Sequence, residues 1–432
     1  MVELGTTCWR GLRLAAPGHW ELAVASGLNE PCQVTLADRH HQRLSAKWKL
    51  LTYRPEMSLL LDKFQHDAAK SKESKPTDLD DLPEPWEGVL QDTPSGQLTR
   101  VMGFFPEQRI LIELVLAWPS RRDVDLETAI LSNTRPMDRD TETTHWKAHG
   151  VDLEIGSDFK LIKSTPNVGR IHWEFDNDDR HHRPYGPLVV ERLSMAGGWL
   201  TDSLSTWLPE HLPVGFRILN RRSITVNGHP GQEVLSSKRL DLIRRWQGYS
   251  ELRVDRAWVC PIEDRMYRVT YTHTTRRSDL ELPDQLTIRC CQEEFFHTED
   301  ADKVRPSRKE RPKKPDRSTE DFLRAVPYQN QSMELKRQTD GTAVASVPLE
   351  KPWYMVPPIT WLLPYQPVRR LELDPIGLSV LELCDGHQSV EKIIEIFAAT
   401  NKLTFREAQL AVTRFLRLLT HRGVIALVGK KP

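Results

Sequence analysis

Asp38-Arg39-His40-His41 recurs as Asp179-Arg180-His181-His182, and the reading of that repeat decides the fold of the first two thirds of the chain. The surroundings repeat with it. One stretch runs GLRLAAPGHWELAVASGLNEPCQVTLADRHHQRLSAKW from Gly11, the other GVDLEIGSDFKLIKSTPNVGRIHWEFDNDDRHHRPYGPLVVERLS from Gly150. Each follows a tryptophan (Trp9, Trp146), passes a short strand and a turn carrying Trp20 or Phe159, and continues with period-two alternation over Gln33 to Ala37 or Arg170 to Phe175. Such alternation marks a strand with one buried face.

A return strand follows in each (Arg43 to Leu50; Leu188 to Ser194). Next come helical spacings, Met57, Leu60, Leu61 and Phe64 in one, Leu200, Leu204, Trp207 and Leu208 in the other, which predict a helix with one apolar face. Paired strands close each stretch: Arg109 to Trp118 after Phe105-Pro106-Glu107-Gln108, and Arg265 to Tyr271 after Cys260-Pro261-Ile262-Glu263-Asp264. The order strands, helix, strands predicts an α+β class: two tandem duplicated domains, 1–138 and 139–298, each an antiparallel sheet with its helix on one face. Element order and the turn Asn227-Gly228-His229 faintly resemble the PsbP-like fold.

The paired histidines are the candidate metal ligands. A site would have to gather His40, His41, His181 and His182 from two hairpin tips, and adjacent histidines on a strand point to opposite faces. No carboxylate or thiol stands at ligand spacing, so a solvated tip inherited by duplication is expected, with no metal and no cofactor. The six cysteines (8, 32, 260, 290, 291, 384) form no CxxC pair and read as reduced packing thiols. Trp9, Trp20, Trp48, Trp146 and Trp173 read as core anchors. No phosphate-binding loop, nucleophile elbow or zinc-protease helix occurs, so no catalytic residue is assigned. A metal-dependent enzyme in this half is the alternative.

The 432 residues exceed one ordinary core, and 60 basic residues balance 60 acidic ones. That balance argues against a chain-wide polyanion binder. The start, MVELGTTCWRGLRL, lacks a secretory pattern. The longest apolar run, Ile110 to Trp118, is interrupted by Glu113 and is too short to cross a bilayer. A cytoplasmic protein without a membrane partner is expected.

Composition changes near Phe296. Residues 302–317, DKVRPSRKERPKKPDR, hold eight basic residues and three prolines, too polar to offset ordering entropy. A linker over 299–344 is expected, leading to a domain at 345–432. There Arg369-Arg370-Leu371-Glu372-Leu373 alternates as a strand, and Asp374-Pro375 begins a helix as N-cap and N1. Asp385-Gly386 ends it, Ser389 caps a second helix, and Thr404-Phe405-Arg406-Glu407 is a capping box for a third that ends at Gly423. Three short helices with flanking strands make a winged-helix-like module.

LELDPIGLSVLELCDGHQSVEKIIEIF, the amphipathic helix after it and RGVIAL resemble the PqqD-like domains over about residues 350–428. The resemblance implies recognition of a ribosomally made precursor (leader) peptide, added as a strand beside the third strand and packed on the third helix. It also implies a peptide-modifying partner enzyme, with the radical SAM type as one candidate. On these residues the edge is Arg369, Arg370, Leu371, Glu372 and Leu373. The outer stripe of the third helix is Arg406, Leu410, Thr413, Arg414, Arg417 and His421: one apolar anchor among cations, suited to an acidic amphipathic peptide. A non-enzymatic adaptor is the expected function. A nucleic-acid-binding regulator is the competing one, although eleven basic against seven acidic residues in 351–432 is a modest excess for tracking phosphates.

Overall fold

The structure, a computed structural model, describes residues 3–26, 31–69, 76–138, 141–177, 185–240, 246–275, 280–291, 317–338, 341–348 and 368–428. It divides into two units, the larger comprising Met1–Ala196 and Asp202–Pro315 and the smaller Gly197–Thr201 and Asp316–Pro432.

The larger unit opens with a hairpin, β1 (Leu4–Trp9) and β2 (Leu12–Pro17). Its turn holds Arg10 and Gly11 at φ 45° and 78°, the left-handed pair that a type I′ turn requires. There follow β3 (Glu21–Ser26), β4 (Cys32–Ala37), β5 (Gln42–Leu50), α1 (Met57–Ala69), β6 (Thr77–Leu79), β7 (Trp86–Thr93), β8 (Gly96–Phe105), β9 (Ile110–Trp118), α2 (Val124–Asn133) and β10 (Arg135–Pro136). The second stretch starts the same way. β11 (Thr143–Ala148) and β12 (Val151–Gly156) turn through His149 and Gly150 at φ 52° and 68°. Then come β13 (Phe159–Asn167), β14 (Arg170–Asn177), β15 (Tyr185–Ser194), α3 (Leu204–Glu210), β16 (Phe216–Val226), β17 (His229–Lys238), β18 (Ser250–Cys260), β19 (Arg265–Thr275) and β20 (Thr287–Arg289). Leu200 precedes α3, which starts after Ser203 and buries Leu208.

Two seven-stranded antiparallel sheets result, ordered β3-β4-β5-β9-β8-β7-β6 and β13-β14-β15-β19-β18-β17-β16, which correspond strand for strand. β9, a nearly continuous apolar run, alternates in burial: Ile110, Ile112, Leu114, Leu116 and Trp118 are buried, and the residues between them are half-exposed. A third sheet, β10-β2-β1-β11-β12-β20, takes three strands from each stretch, joined where β1 pairs with β11 at Cys8↔Lys147. The two stretches expected as separate domains are therefore one unit, because β1 and β11 join their hairpins into one sheet at Cys8↔Lys147. Trp9, Trp146 and Trp173 meet at that seam, with ring centroids of Trp9 5.6 Å from both of the others. These three, with Trp20 and Trp48, are buried.

The smaller unit comprises α4 (Arg317–Arg324), β21 (Val326–Gln329), β22 (Glu334–Arg337), β23 (Ala343–Pro348), β24 (Val368–Leu373), α5 (Pro375–Glu382), α6 (Val390–Thr400), α7 (Phe405–Arg422) and β25 (Ile425–Val428). Its sheets are β22-β23-β24 and the ribbon β21-β25. The domain boundary expected at 345 falls inside β23, and the stretch read as linker supplies α4, β21 and β22. The reason is that β24 and β25 are four to six residues long and need strand partners, which β23 and β21 provide. Residues 292–316, which hold most of the basic run, lie outside the described residues. A fragment of residues 316–432 is expected to unfold cooperatively in urea, whereas 345–432, deprived of β21 and β22, should have a lower midpoint or none. Equal midpoints by far-ultraviolet circular dichroism would count against this boundary.

Candidate peptide-recognition site

The helices of the smaller unit are set by their caps. The Asp374 side chain accepts from Gly377 N at 2.6 Å, Ser389 Oγ accepts from Lys392 N at 3.3 Å, and Thr404 and Glu407 form both halves of the capping box. Gly423 ends α7 at φ 75°, the left-handed conformation of a helix stop. Asp385-Gly386 does different work from the helix stop expected of it. α5 ends earlier, at Glu382, and Gly386 N donates to Pro327 O at 3.0 Å, tying the loop to β21. A Cβ at Gly386 would come within 2.4 Å of the Tyr328 ring, so only glycine fits. Cys384 sits beneath, and burial pushes its thiol up to about 12.

β24 pairs with β23 from Val368↔Pro348 to Leu373↔Ala343. It is an edge of its sheet among the described residues, leaving one row of main-chain amides and carbonyls without a strand partner. Leu373 is buried and Leu371 half-buried, while Arg370 and Glu372 are exposed; the Arg369 side chain lies outside the described residues. α7 buries Phe405, Ala408, Gln409, Val412, Leu416 and Leu419. Its opposite stripe carries Leu410, 57% exposed, with Arg414, Arg417 and His421 exposed and Arg406 and Thr413 half-exposed. Arg406 Nη1 donates to Gln409 Oε1 at 2.9 Å. Ala411 and Phe415 are half-buried. α5 links the two sets: it follows β24 directly, and the Phe415 ring of α7 lies 3.0 Å from where a Cβ on Gly377 would stand.

The histidine pairs are not gathered into a site by the described residues. Asp38 Oδ1 accepts from the amides of His40 (2.8 Å) and His41 (2.7 Å), and Arg43 Nε lies 3.5 Å from its other oxygen. That makes an Asx-type hairpin tip between β4 and β5. His181 and His182 lie outside the described residues. What the sequence reading missed is a cluster of His229, Cys260, Cys290 and Cys291 in the larger unit, whose one local signal is the Cys290-Cys291 dipeptide.

Among the described residues the smaller unit thus combines an edge strand, β24, with three capped helices, α5 to α7. Residues 362–425 match the family model of coenzyme PQQ synthesis protein D (PqqD), so the chain carries a PqqD domain at its C-terminal end. No curated protein matches the chain. Among solved structures, the chain is similar to the immunity protein TplEi of the T6SS from Pseudomonas aeruginosa complexed with "L" peptide (11% identity, 65% of this chain and 90% of that one, TM-score 0.27). It is also similar to a chain of the Tle4-Tli4 complex (12% identity, 65% and 90%, TM-score 0.29) and to PA94, a Pseudomonas aeruginosa protein of unknown function (14% identity, 31% and 83%, TM-score 0.18). No helix among the described residues is long and apolar enough to cross a membrane.

Proposed function

We propose that this chain is a non-enzymatic adaptor whose PqqD domain, a winged-helix-like module, binds the leader segment of a ribosomally made precursor peptide and presents it to a modifying enzyme. The observation that carries the reading is the open edge of β24, lying inside the stretch that matches PqqD. A peptide strand would pair with the free main-chain groups of residues 369–373, set an apolar side chain on Leu410, and offer carboxylates to Arg414 and Arg417. The larger unit reads as a tandem duplication, supported by its corresponding strand orders and its matched type I′ turns at Arg10-Gly11 and His149-Gly150.

Charge-assisted hydrogen bonds contribute about 1.5–3 kcal/mol each, so Arg414→Ala is expected to weaken an acidic leader-type peptide about tenfold or more. Leu410→Asp should cost at least as much, because it sets a carboxylate where apolar surface is to be buried. Fluorescence anisotropy with a labelled acidic peptide and a labelled DNA duplex, at low and moderate salt, tests both variants. Duplex binding that falls steeply with salt, without peptide binding, would replace this reading with the nucleic-acid regulator.

A further inference from the structure

His229 Nε2 and the Sγ atoms of Cys260, Cys290 and Cys291 all lie within 4.8 Å of one another, the one such convergence of three or more His, Cys, Asp or Glu side chains among the described residues. We propose that these four groups bind one Zn²⁺ ion as a closed Cys3His structural site. The ligands come from three places. His229 opens β17 directly after the Asn227-Gly228 turn, Cys260 ends β18, and Cys290-Cys291 follows β20.

Zinc bonds of about 2.3 Å to sulfur and 2.0–2.1 Å to nitrogen put the edges of a tetrahedron at roughly 3.5–3.8 Å. His229 Nε2 lies 2.8 Å and Cys260 Sγ 2.9 Å from Cys291 Sγ, and no pair exceeds 4.8 Å. Shifts of about an ångström or less would therefore seat the ion. A disulfide accounts for less of the arrangement, because a bond of about 2.05 Å joins two sulfurs and leaves a third thiol and an imidazole gathered there to no purpose. Thiolates with an imidazole select a soft or borderline ion over magnesium or calcium. Four protein ligands leave no position for substrate, which makes the site structural.

The backbone is arranged to bring the adjacent cysteines together. Neighbouring side chains on an extended strand point to opposite faces, but Cys291 adopts φ 56°, a conformation unfavourable for any residue with a Cβ. Its amide donates to Glu263 Oε1 at 2.9 Å, and Glu263 Oε2 accepts from Tyr267 Oη at 2.7 Å. Asn227 Nδ2 donates to Ile288 O at 2.6 Å and lies 3.4 Å from Cys290 Sγ, the kind of outer-shell donor that orients a metal-bound thiolate. The ion would clamp the β16–β17 tip and the end of β18, in one sheet, to β20 in another. The expectation of no metal looked to the histidine pairs and to CxxC spacing, and this site uses neither.

Full-length protein purified under reducing conditions without a metal-affinity step is expected to contain about one zinc per chain by elemental analysis. Replacement by Co²⁺ should give the intense visible bands of a tetrahedral site together with sulfur-to-cobalt charge transfer. Cys290→Ser and His229→Ala should each weaken zinc retention at least about tenfold against a chelating dye, while His40→Ala should leave it unchanged. If the ligand variants do not fold, the cobalt spectrum of the unmodified chain decides alone. Weak octahedral bands, zinc retained in Cys290→Ser, or a disulfide among these cysteines in freshly reduced protein by intact mass would each overturn the assignment.

Discussion

Asp255→Ala is expected to lower the stability of the larger unit by about 3–5 kcal/mol, the usual loss when one partner of a buried ion pair is removed. Asp255, on β18, is fully buried. Its carboxylate accepts from Arg253 Nε and Nη2 (2.6 and 2.8 Å), from Arg268 Nε and Nη2 (3.1 and 2.8 Å) and from Thr270 Oγ1 (2.7 Å). Burial alone would push its proton affinity up. The hydrogen bond from Arg253, the charges of Arg268 and Arg253, and the Thr270 hydroxyl together outweigh burial and hold it below the ordinary carboxylate range. Alanine removes the acceptor and leaves two guanidinium groups facing each other across its place. Glu191, whose Oε2 lies 3.9 Å from Arg268 Nη1, already engages Arg170 and His172. Asp255→Asn keeps one acceptor oxygen but loses the charge and turns an amide NH2 toward an arginine donor, so it recovers only part of the loss and should fall between alanine and wild type. Urea unfolding followed by tryptophan fluorescence measures both, and a loss below about 1 kcal/mol for alanine would mean that the arginines find other partners.

Trp173→Ala should cost a comparable amount, about 3–5 kcal/mol for emptying a large aromatic site. Trp173 is fully buried on β14, with ring centroids 5.6 Å from Trp9, 6.5 Å from Trp146 and 6.3 Å from Phe175. Its partners belong to both stretches of the unit, so the cavity would open at their seam, where neither sheet can close over it alone. Trp173→Phe offers a sharper comparison. The Trp173 indole N–H is buried with no hydrogen-bond partner among the described residues, so phenylalanine loses mainly volume and should cost less than half as much. Equal losses for the two variants in the same urea experiment would show that shape, not aromatic area, sets the stability there.

Residues whose signals are local are legible in the sequence. The caps at Asp374, Ser389 and Thr404 and the stop at Gly423 each depend on neighbours a few positions away, and each is found as the sequence implies. The outward stripe of α7 follows from helical period in the same way. β22, Glu-Leu-Lys-Arg, carries one apolar residue in four, so its strand character comes from pairing with β23 rather than from its own composition. The β1–β11 seam joins strands far apart in sequence, and no pattern within either strand announces it. The His229–Cys291 cluster is hidden for the same reason: its members are adjacent only once the hairpin tip of β16–β17 meets the end of β20.

The β1–β11 pairing has a consequence for the order in which the chain is made. Synthesis proceeds from the amino terminus, so the first stretch leaves the ribosome with β2 on one side of β1 and bare main-chain groups on the other. Such an edge is a template for any strand that meets it, including one from a neighbouring nascent chain. β10 ends at Pro136 and β11 begins at Thr143, so the proper cover is the next strand to emerge, ahead of the whole second seven-stranded sheet. A pause in translation before β11 has cleared the ribosome would lengthen the exposure, and the emergence of Thr143 to Ala148 would end it.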